Sequence, residues 1–363
     1  VVNFKPMELV IAAYLVLSVI VGVVATYAVQ MLMARFRVVD HPNQDRKHHT
    51  RPIVLGGGIA CFLSFVIVLV LYLLLQPSDE IIMKNVVGML LGGAVLVVGG
   101  LLDDKYSLKP SQQVIFPLIA VAVVVASGIG LHEITNPLTG GNLNLIQEKW
   151  EVLRFRGIPY FISWPADIIT FVWILGMIYT TKFLDGVDGL VPGVTAIGAV
   201  FLLLVGLFLS QTMSPVLAVI LLGVMLGFLV FNYSPASIFL GEGGSTWAGF
   251  MLATLAIIST AKISLTFLVM GLAILDTGWV IYRRVKKRNS PFKGDRNHLH
   301  LRLIDRGFTQ RRVSLFYYLL AFLFGTAGLV LRNIAWIWLF LLLLITLILI
   351  GWFVPRKKKY DSS

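Results

Sequence analysis

Apolar stretches of roughly twenty residues recur along almost the whole chain, and this repetition limits the fold more than any motif does. A helix needs about 17 to 25 apolar residues to cross the hydrocarbon of a bilayer. Eleven such stretches are read here: 8–33, 54–76, 85–102, 113–131, 163–183, 190–210, 214–231, 246–261, 264–283, 313–331 and 335–354. The composition agrees, with 58% of the 363 residues hydrophobic and 13% charged. No soluble core uses so many long apolar runs. The expected fold is therefore an all-α polytopic integral membrane protein with about eleven transmembrane helices, forming one domain over 1–363. The stretch from Leu9 to Met33 is too long, and too poor in small residues at a cleavage site, to be a removed signal peptide. The residues before Met7 read as an upstream addition.

The net charge of +12 comes from basic residues in short loops between spans. Their distribution follows the positive-inside bias and gives no reason to invoke nucleic acid. Most Lys and Arg fall on the side of the C-terminus, so the expected topology is N-terminus outside and C-terminus cytoplasmic. On the opposite side only 131–162 is long. Its "NPLTGGNLNLIQEKWEVLRFRG" alternates polar and apolar residues on both sides of Gly140-Gly141, which predicts a small exterior β-hairpin. No internal repeat or low-complexity segment is present. Cys61 lies in an apolar span and reads as a small hydrophobe.

The unusual polar residues collect in five loops on the side assigned to the cytoplasm. They are "DHPNQDRKHHTRP" (40–52), "LDDKYSLKP" (102–110), "TKFLDGVDGL" (181–190), "NYSPASIFLGEGGS" (232–245) and "SPFKGDRNHLHLRLIDRG" (290–307). The last lies in a loop read as 284–312. Loops that build one site would share a side in this way; independent connections would not.

Asp103, Asp104, Asp185, Asp188 and Glu242 stand at the ends of apolar runs. Carboxylates at a membrane border are costly and are functional candidates for that reason. Asp185 and Asp188, three apart, would share a face if helical. Asp185 also precedes a helix and could cap it. Glu242 stands between glycines, where backbone can approach a ligand closely. Hard oxygen donors of this kind suit Mg²⁺, with Mn²⁺ as the alternative. Lys47 and His49 in the first loop, and Arg296, His298, His300 and Arg302 in the last, supply the cations of a phosphate site. Zinc is the competing reading of the histidines. Against it, His298 and His300, two apart, would diverge in a helix, and no cysteine accompanies them. Acids, bases and Gly-rich turns together point to phosphoryl transfer at the membrane surface.

In their order and shared side, "GLLDD" (100–104), "DGVDGL" (185–190) and "NYSPASIFLGEGGS" resemble the polyprenyl-phosphate N-acetylhexosamine-1-phosphate transferases. The resemblance covers nearly the whole chain. It implies transfer of a HexNAc-1-phosphate from a UDP-sugar to a membrane polyprenyl phosphate, with Mg²⁺, on the cytoplasmic face of the plasma (inner) membrane. The products are polyprenyl-diphosphate-HexNAc and UMP. Asp103 then matches the acid that deprotonates or orients the lipid phosphate, and Asp104 supports the metal or lipid-phosphate site. Asp188 and Glu242 match metal and diphosphate positions, Asp185 the nucleotide side, and Asn232 a place near the nucleotide. Arg296, His298 and His300 match a loop closing over diphosphate and sugar. Lys47 and His49 match a first-loop "RKxH" element. The resemblance also allows a homodimer.

The sequence departs from the family pattern at several places. Glu242 stands where Asp is common. Lys182 replaces an Asn three residues before "DGxDG" and could contact phosphate or pair with Asp185. Leu301 ends an "HxHH"-like run, and "PIVLGGG" (52–58) replaces "PxPRxGG". "SPFKGDRNHLHLRL" resembles the undecaprenyl-phosphate GlcNAc-1-phosphate transferase branch rather than the phospho-MurNAc-pentapeptide branch. The rival readings are a lipid-phosphate transporter, which would bury ionisable residues at mid-membrane, and a non-catalytic relative.

Overall fold

A computed structural model describes residues 7–40, 42, 51–76, 83–135, 141–155, 158–259, 263–288, 297–330, 338 and 341–346. The chain is mostly helical. Its helices are α1 (Met7–Arg35), α2 (Gly57–Leu75), α3 (Met83–Tyr106), α4 (Pro110–Gln113), α5 (Ile115–Ala126), α6 (Ala166–Leu184) and α7 (Leu190–Phe208). They continue with α8 (Met213–Asn232), α9 (Gly241–Ile258), α10 (Ile263–Val269), α11 (Gly271–Lys286), α12 (Leu299–Asp305) and α13 (Gln310–Val330). A helix satisfies all its inner backbone polar groups within one segment, which is what an apolar solvent demands.

Among the described residues seven helices are long and apolar enough to cross a membrane, or eight if the bent pair α10–α11 is one span. The expected spans depart from this picture in four places. The 113–131 segment forms a shorter apolar helix, Pro110–Ala126, with an irregularity at Val114 between α4 and α5, where Pro117 has no N–H to bond to Gln113. The 264–283 segment bends by 76° between α10 and α11. The 246–261 segment is the inner helix α9, rich in Gly, Ser and Thr. Most of 335–354 lies outside the described residues.

The core sits around α8 and α9, which bury most of their side chains. α9 can be central because its first turn is nearly bare. A Cβ on Gly100 of α3 would stand 2.0 Å from the Gly243 nitrogen, and one on Gly58 of α2 2.3 Å from the Gly244 nitrogen. Small residues let helix backbones approach this closely in a membrane. Trp247 fills the space beyond, edge-on to Phe62 and Phe65 at 6.3 and 5.8 Å. By contrast α1 exposes Leu9, Val16, Ile20, Val24 and Met31, the apolar face a lipid-contacting helix presents.

Among the described residues three two-stranded antiparallel ladders accompany the helices. β1 (Val39–Asp40) pairs with β2 (Ile53–Val54), and Val54 bridges in parallel to Ile238. The Phe239 nitrogen donates to the Val54 carbonyl, and the Gly57 and Gly58 nitrogens donate to the Phe239 and Leu240 carbonyls. These bonds tie the start of α2 to the start of α9. β3 (Glu133–Thr135) pairs with β4 (Asn142–Asn144), flanking the Gly-Gly segment. A longer ladder follows, β5 (Ile146–Phe155) with β6 (Ile158–Pro165).

Candidate active site

The ends of α3, α6 and α8 and the starts of α7, α9 and α13 meet at one end of the bundle. They enclose a cavity of about 540 Å³. Six carboxylates line it: Asp40, Asp103, Asp104, Asp185, Asp188 and Glu242. Lys182 is the one Lys or Arg among the described lining residues, and Asn232, Ser245, Gln113 and Gln310 add neutral polar groups. Four of the five sequence-marked loops contribute to this wall.

Asp103 sits in the last turns of α3. One of its oxygens accepts from the Leu108 nitrogen at 2.8 Å and from Gln113 Nε2 at 2.9 Å. Gln113 in turn donates to the Leu108 carbonyl and accepts from Lys182 Nζ at 3.0 Å. Lys182 Nζ closes the chain by pairing with Glu242 Oε1. The Glu242 nitrogen donates to Asp104 Oδ1 at 3.2 Å. Asp103, Gln113, Lys182, Glu242 and Asp104 thus form one network across α3, α4, α6 and α9. Gln113 was not singled out in the sequence; its only signal is its place just after "LDDKYSLKP".

One expectation is corrected here: the Lys182 ammonium pairs with Glu242, the residue read as a metal ligand, rather than with Asp185. The two departures from the family pattern are therefore in contact. The glycines around Glu242 serve the approach of α3 and α2 to α9, with Gly241 at φ +75°. Asp104 supplies the acceptor that an α9 first-turn N–H needs.

The 185–189 segment is a turn, not a helix. Asp185 ends α6 and Gly189, at φ 76°, precedes α7, so Asp185 does not cap α7. Asp188 Oδ2 accepts from the Ala236 nitrogen at 3.0 Å, and the Asp188 nitrogen donates to Gln310 Oε1 at 2.8 Å. Asn232 is buried, with both amide ends on backbone. Its Oδ1 accepts from the Gly189 nitrogen at 3.0 Å and its Nδ2 donates to the Ile238 carbonyl at 2.8 Å. Burial first, then the charges of Glu242, Asp104 and Asp188, push Asp185 up to about 8. The residue itself is exposed at the cavity, and the like charges around it disfavour its ionised form.

The histidines lie elsewhere. His298 and His300 are buried and do not line the cavity. The sequence argument that they diverge fails, because His298 precedes α12 in extended backbone (φ −60°, ψ 143°). Their rings stack with centroids 5.6 Å apart, and Phe183 stacks on His298 at 5.7 Å. His298 Nδ1 pairs with Asp276 Oδ2 at 2.9 Å, and Asp276 Oδ1 accepts from the Leu299 nitrogen at 3.0 Å. Asp276 was missed in the sequence. It sits inside "GLAILDTGW", where an acid in an apolar stretch is itself the signal. Neither ring nitrogen of His300 has a hydrogen-bond partner among the described residues. Burial and the neighbouring His298 push its imidazole down to about 3. Arg302 lies on α12, away from the cavity lining. Lys47, His49 and Arg296 fall outside the described residues.

The donor set suits a hard divalent cation, though among the described residues no group of three or more His, Cys, Asp or Glu could hold one alone. Mg²⁺ commonly takes one or two carboxylates and completes its shell with water and substrate phosphate.

The model of glycosyl transferase family 4 matches residues 86–260, the segment that supplies α3, the 185–189 turn and α9. Over that segment, just under half of the chain, the sequence resembles this family. It is 27% identical over 346 residues to a probable undecaprenyl-phosphate N-acetylglucosaminyl 1-phosphate transferase of Bacillus subtilis, covering 94% of this chain and 89% of that one. It is 28% identical over 329 residues to a decaprenyl-phosphate N-acetylglucosaminephosphotransferase of Mycobacterium tuberculosis, covering 83% and 78%. It is 27% identical over 336 residues to an undecaprenyl-phosphate alpha-N-acetylglucosaminyl 1-phosphate transferase of Salmonella typhi, covering 89% and 85%. All three relatives are named for transfer of an N-acetylglucosamine phosphate, in agreement with the branch that the last loop resembles.

Proposed function

We propose that this protein transfers HexNAc-1-phosphate, with GlcNAc the preferred sugar, from a UDP-sugar to undecaprenyl or a related polyprenyl phosphate. The observation that carries the reading is the acid-lined cavity, built at one end of an apolar bundle from the loops that mark the family. An oxygen of the lipid phosphate attacks the sugar-bearing phosphorus of the donor. The new P–O bond forms as the bond to UMP breaks, giving polyprenyl-diphosphate-HexNAc.

Asp103 orients the lipid phosphate or takes its proton, and Leu108 and Gln113 fix that carboxylate in one rotamer. Asp185 and Asn232 shape the nucleotide side through the 185–189 turn. A divalent cation, Mg²⁺ or Mn²⁺, would be held by Asp104 and Asp188 and would neutralise phosphate charge. His298, His300 and Asp276 set the position of α12 behind the turn. The cavity end is the cytoplasmic face, with the C-terminus on the same side, as the Lys and Arg bias supports. Such a reaction would begin lipid-linked surface glycan synthesis.

The test is transfer of label. Purified protein receives UDP-GlcNAc labelled in the sugar, undecaprenyl phosphate and Mg²⁺, and label is counted in the organic phase. Lipid-dependent label that EDTA abolishes is the expected result. Absence of label with every UDP-N-acetylhexosamine would refute the reading, and activity in excess EDTA would remove the cation from it.

A further inference from the structure

The cavity poses a charge problem. A donor diphosphate and a lipid phosphate are both anionic, yet six carboxylates line the space they would enter. Against them the described lining offers one fixed cation, Lys182. Its environment is specific. The ammonium is mostly buried, with 14% of the side chain exposed, and its Glu242 partner is 22% exposed. Gln113 Oε1 accepts a second of its N–H bonds, and the Tyr179 ring lies 5.8 Å away. An ammonium has three N–H donors in all. Two are directed by Glu242 and Gln113, and Lys182 lines the cavity into which a phosphoryl oxygen would come.

A salt bridge at this depth is an uncertain source of stability, because desolvating both ions offsets their attraction. A flexible lysine held by two partners has instead lost its freedom before any ligand arrives. Preorganised charge of this kind stabilises incoming anionic groups with little reorganisation.

We propose that Lys182 is a resident cation of the transferase cavity, aimed by Glu242 and Gln113 at an oxygen of the donor's diphosphate. Glu242 is on this view a positioning residue for the ammonium. The inference rests on the assignment of the cavity to a diphosphate-linked sugar donor. It also predicts that part of the donor affinity needs no divalent metal.

The experiment is calorimetric titration of the purified full chain with UDP-GlcNAc and, separately, with uridine, both in EDTA. A charge-assisted hydrogen bond of this type corresponds to about 10- to 100-fold in affinity. Lys182→Asn should weaken UDP-GlcNAc by that factor and leave uridine, which carries no phosphate, within about twofold. Lys182→Arg keeps the charge and should recover most of the loss. Because Lys182→Asn strands the Glu242 carboxylate, the neutral pair Lys182→Asn/Glu242→Gln is measured beside it and should lose the same factor. Equal losses for uridine and UDP-GlcNAc would overturn the proposal in favour of a structural pair, and so would unchanged UDP-GlcNAc affinity. If wild-type protein still transfers label with Mg²⁺, either result removes Lys182 alone. If wild-type protein neither transfers nor binds UDP-GlcNAc, the transferase reading fails and takes this inference with it.

Discussion

The acid cavity and the histidine stack share the 185–189 turn, yet they are built in opposite ways. Gly186 borders both, lining the cavity while a Cβ at its position would stand 2.8 Å from His300 Nε2. On the cavity side the groups are charged, partly exposed and linked by hydrogen bonds across four helices. On the other side Phe183, His298, His300 and Tyr317 form a dry run of rings, with His300–Tyr317 edge-on at 6.5 Å. The cavity is arranged to meet charge; the stack is arranged to hold α12 and the turn in place. Residues that look equally catalytic in the sequence therefore divide into those that can touch a ligand in this conformation and those that act through packing.

The largest expected effect lies in the cavity. Asp103→Asn removes a charge but keeps a carbonyl oxygen that can accept from Leu108 and Gln113, so the end of α3 retains its bonds. Turnover should fall by about 10²- to 10⁴-fold, the range for losing a positioned proton acceptor, while the melting temperature stays within a few degrees. Near-normal turnover would remove Asp103 from the chemistry and leave the cavity without its nearest base.

The reason the cavity was legible and the stack was not is physical. Asp103, Asp104, Asp185, Asp188 and Glu242 each stand where an apolar helix ends, and helix ends on one side of a bundle meet without any knowledge of packing. The apolar runs likewise located α1, α2, α3, α6, α7, α8 and α13, because length and hydropathy alone decide them. What spacing could not supply was the partner of each group. Nothing in the sequence says that Lys182 reaches Glu242, sixty residues on, rather than Asp185 nearby. Nor does a two-residue separation reveal that His298 lies just outside its helix, which is what brings its ring onto His300. Asp276 falls inside an apolar span, where hydropathy hides it, yet an unpaired acid there would be intolerable. The 76° bend after α10 has no sequence signal beyond Gly271.

An intermediate effect should separate the two regions by what they lose. Asp276 holds both His298 and the first N–H of α12. Asp276→Ala leaves those groups buried without their acceptor, at a cost of about 3 kcal/mol. The expected result is a clear drop in thermal stability, with turnover measured well below the transition reduced less than tenfold. A hundredfold loss of turnover at unchanged stability would show that the pair enters the reaction, and the division drawn above would collapse.

The smallest effect on turnover should come from His300→Phe, and it probes the stack through pH. The imidazole of His300 is pushed from an ordinary 6.5 down to about 3, so the folded protein keeps it neutral where the unfolded chain would take up a proton. Its folded pKa is depressed, hence its contribution to stability is complete above about 6.5 and is lost as pH falls toward 3. Phenylalanine has a similar flat shape and no proton to bind. The variant should therefore lose less stability than wild type between neutral pH and pH 4, with turnover at neutral pH within tenfold. Thermal melts at pH 7, 5.5 and 4 read the first expectation, and the label-transfer rate reads the second. Wild-type and variant melts that fall in parallel would place the acid sensitivity in other groups. A hundredfold loss of transfer with intact melts would mean that α12 moves and carries His300 to the substrate during turnover, joining the stack to the cavity as one site.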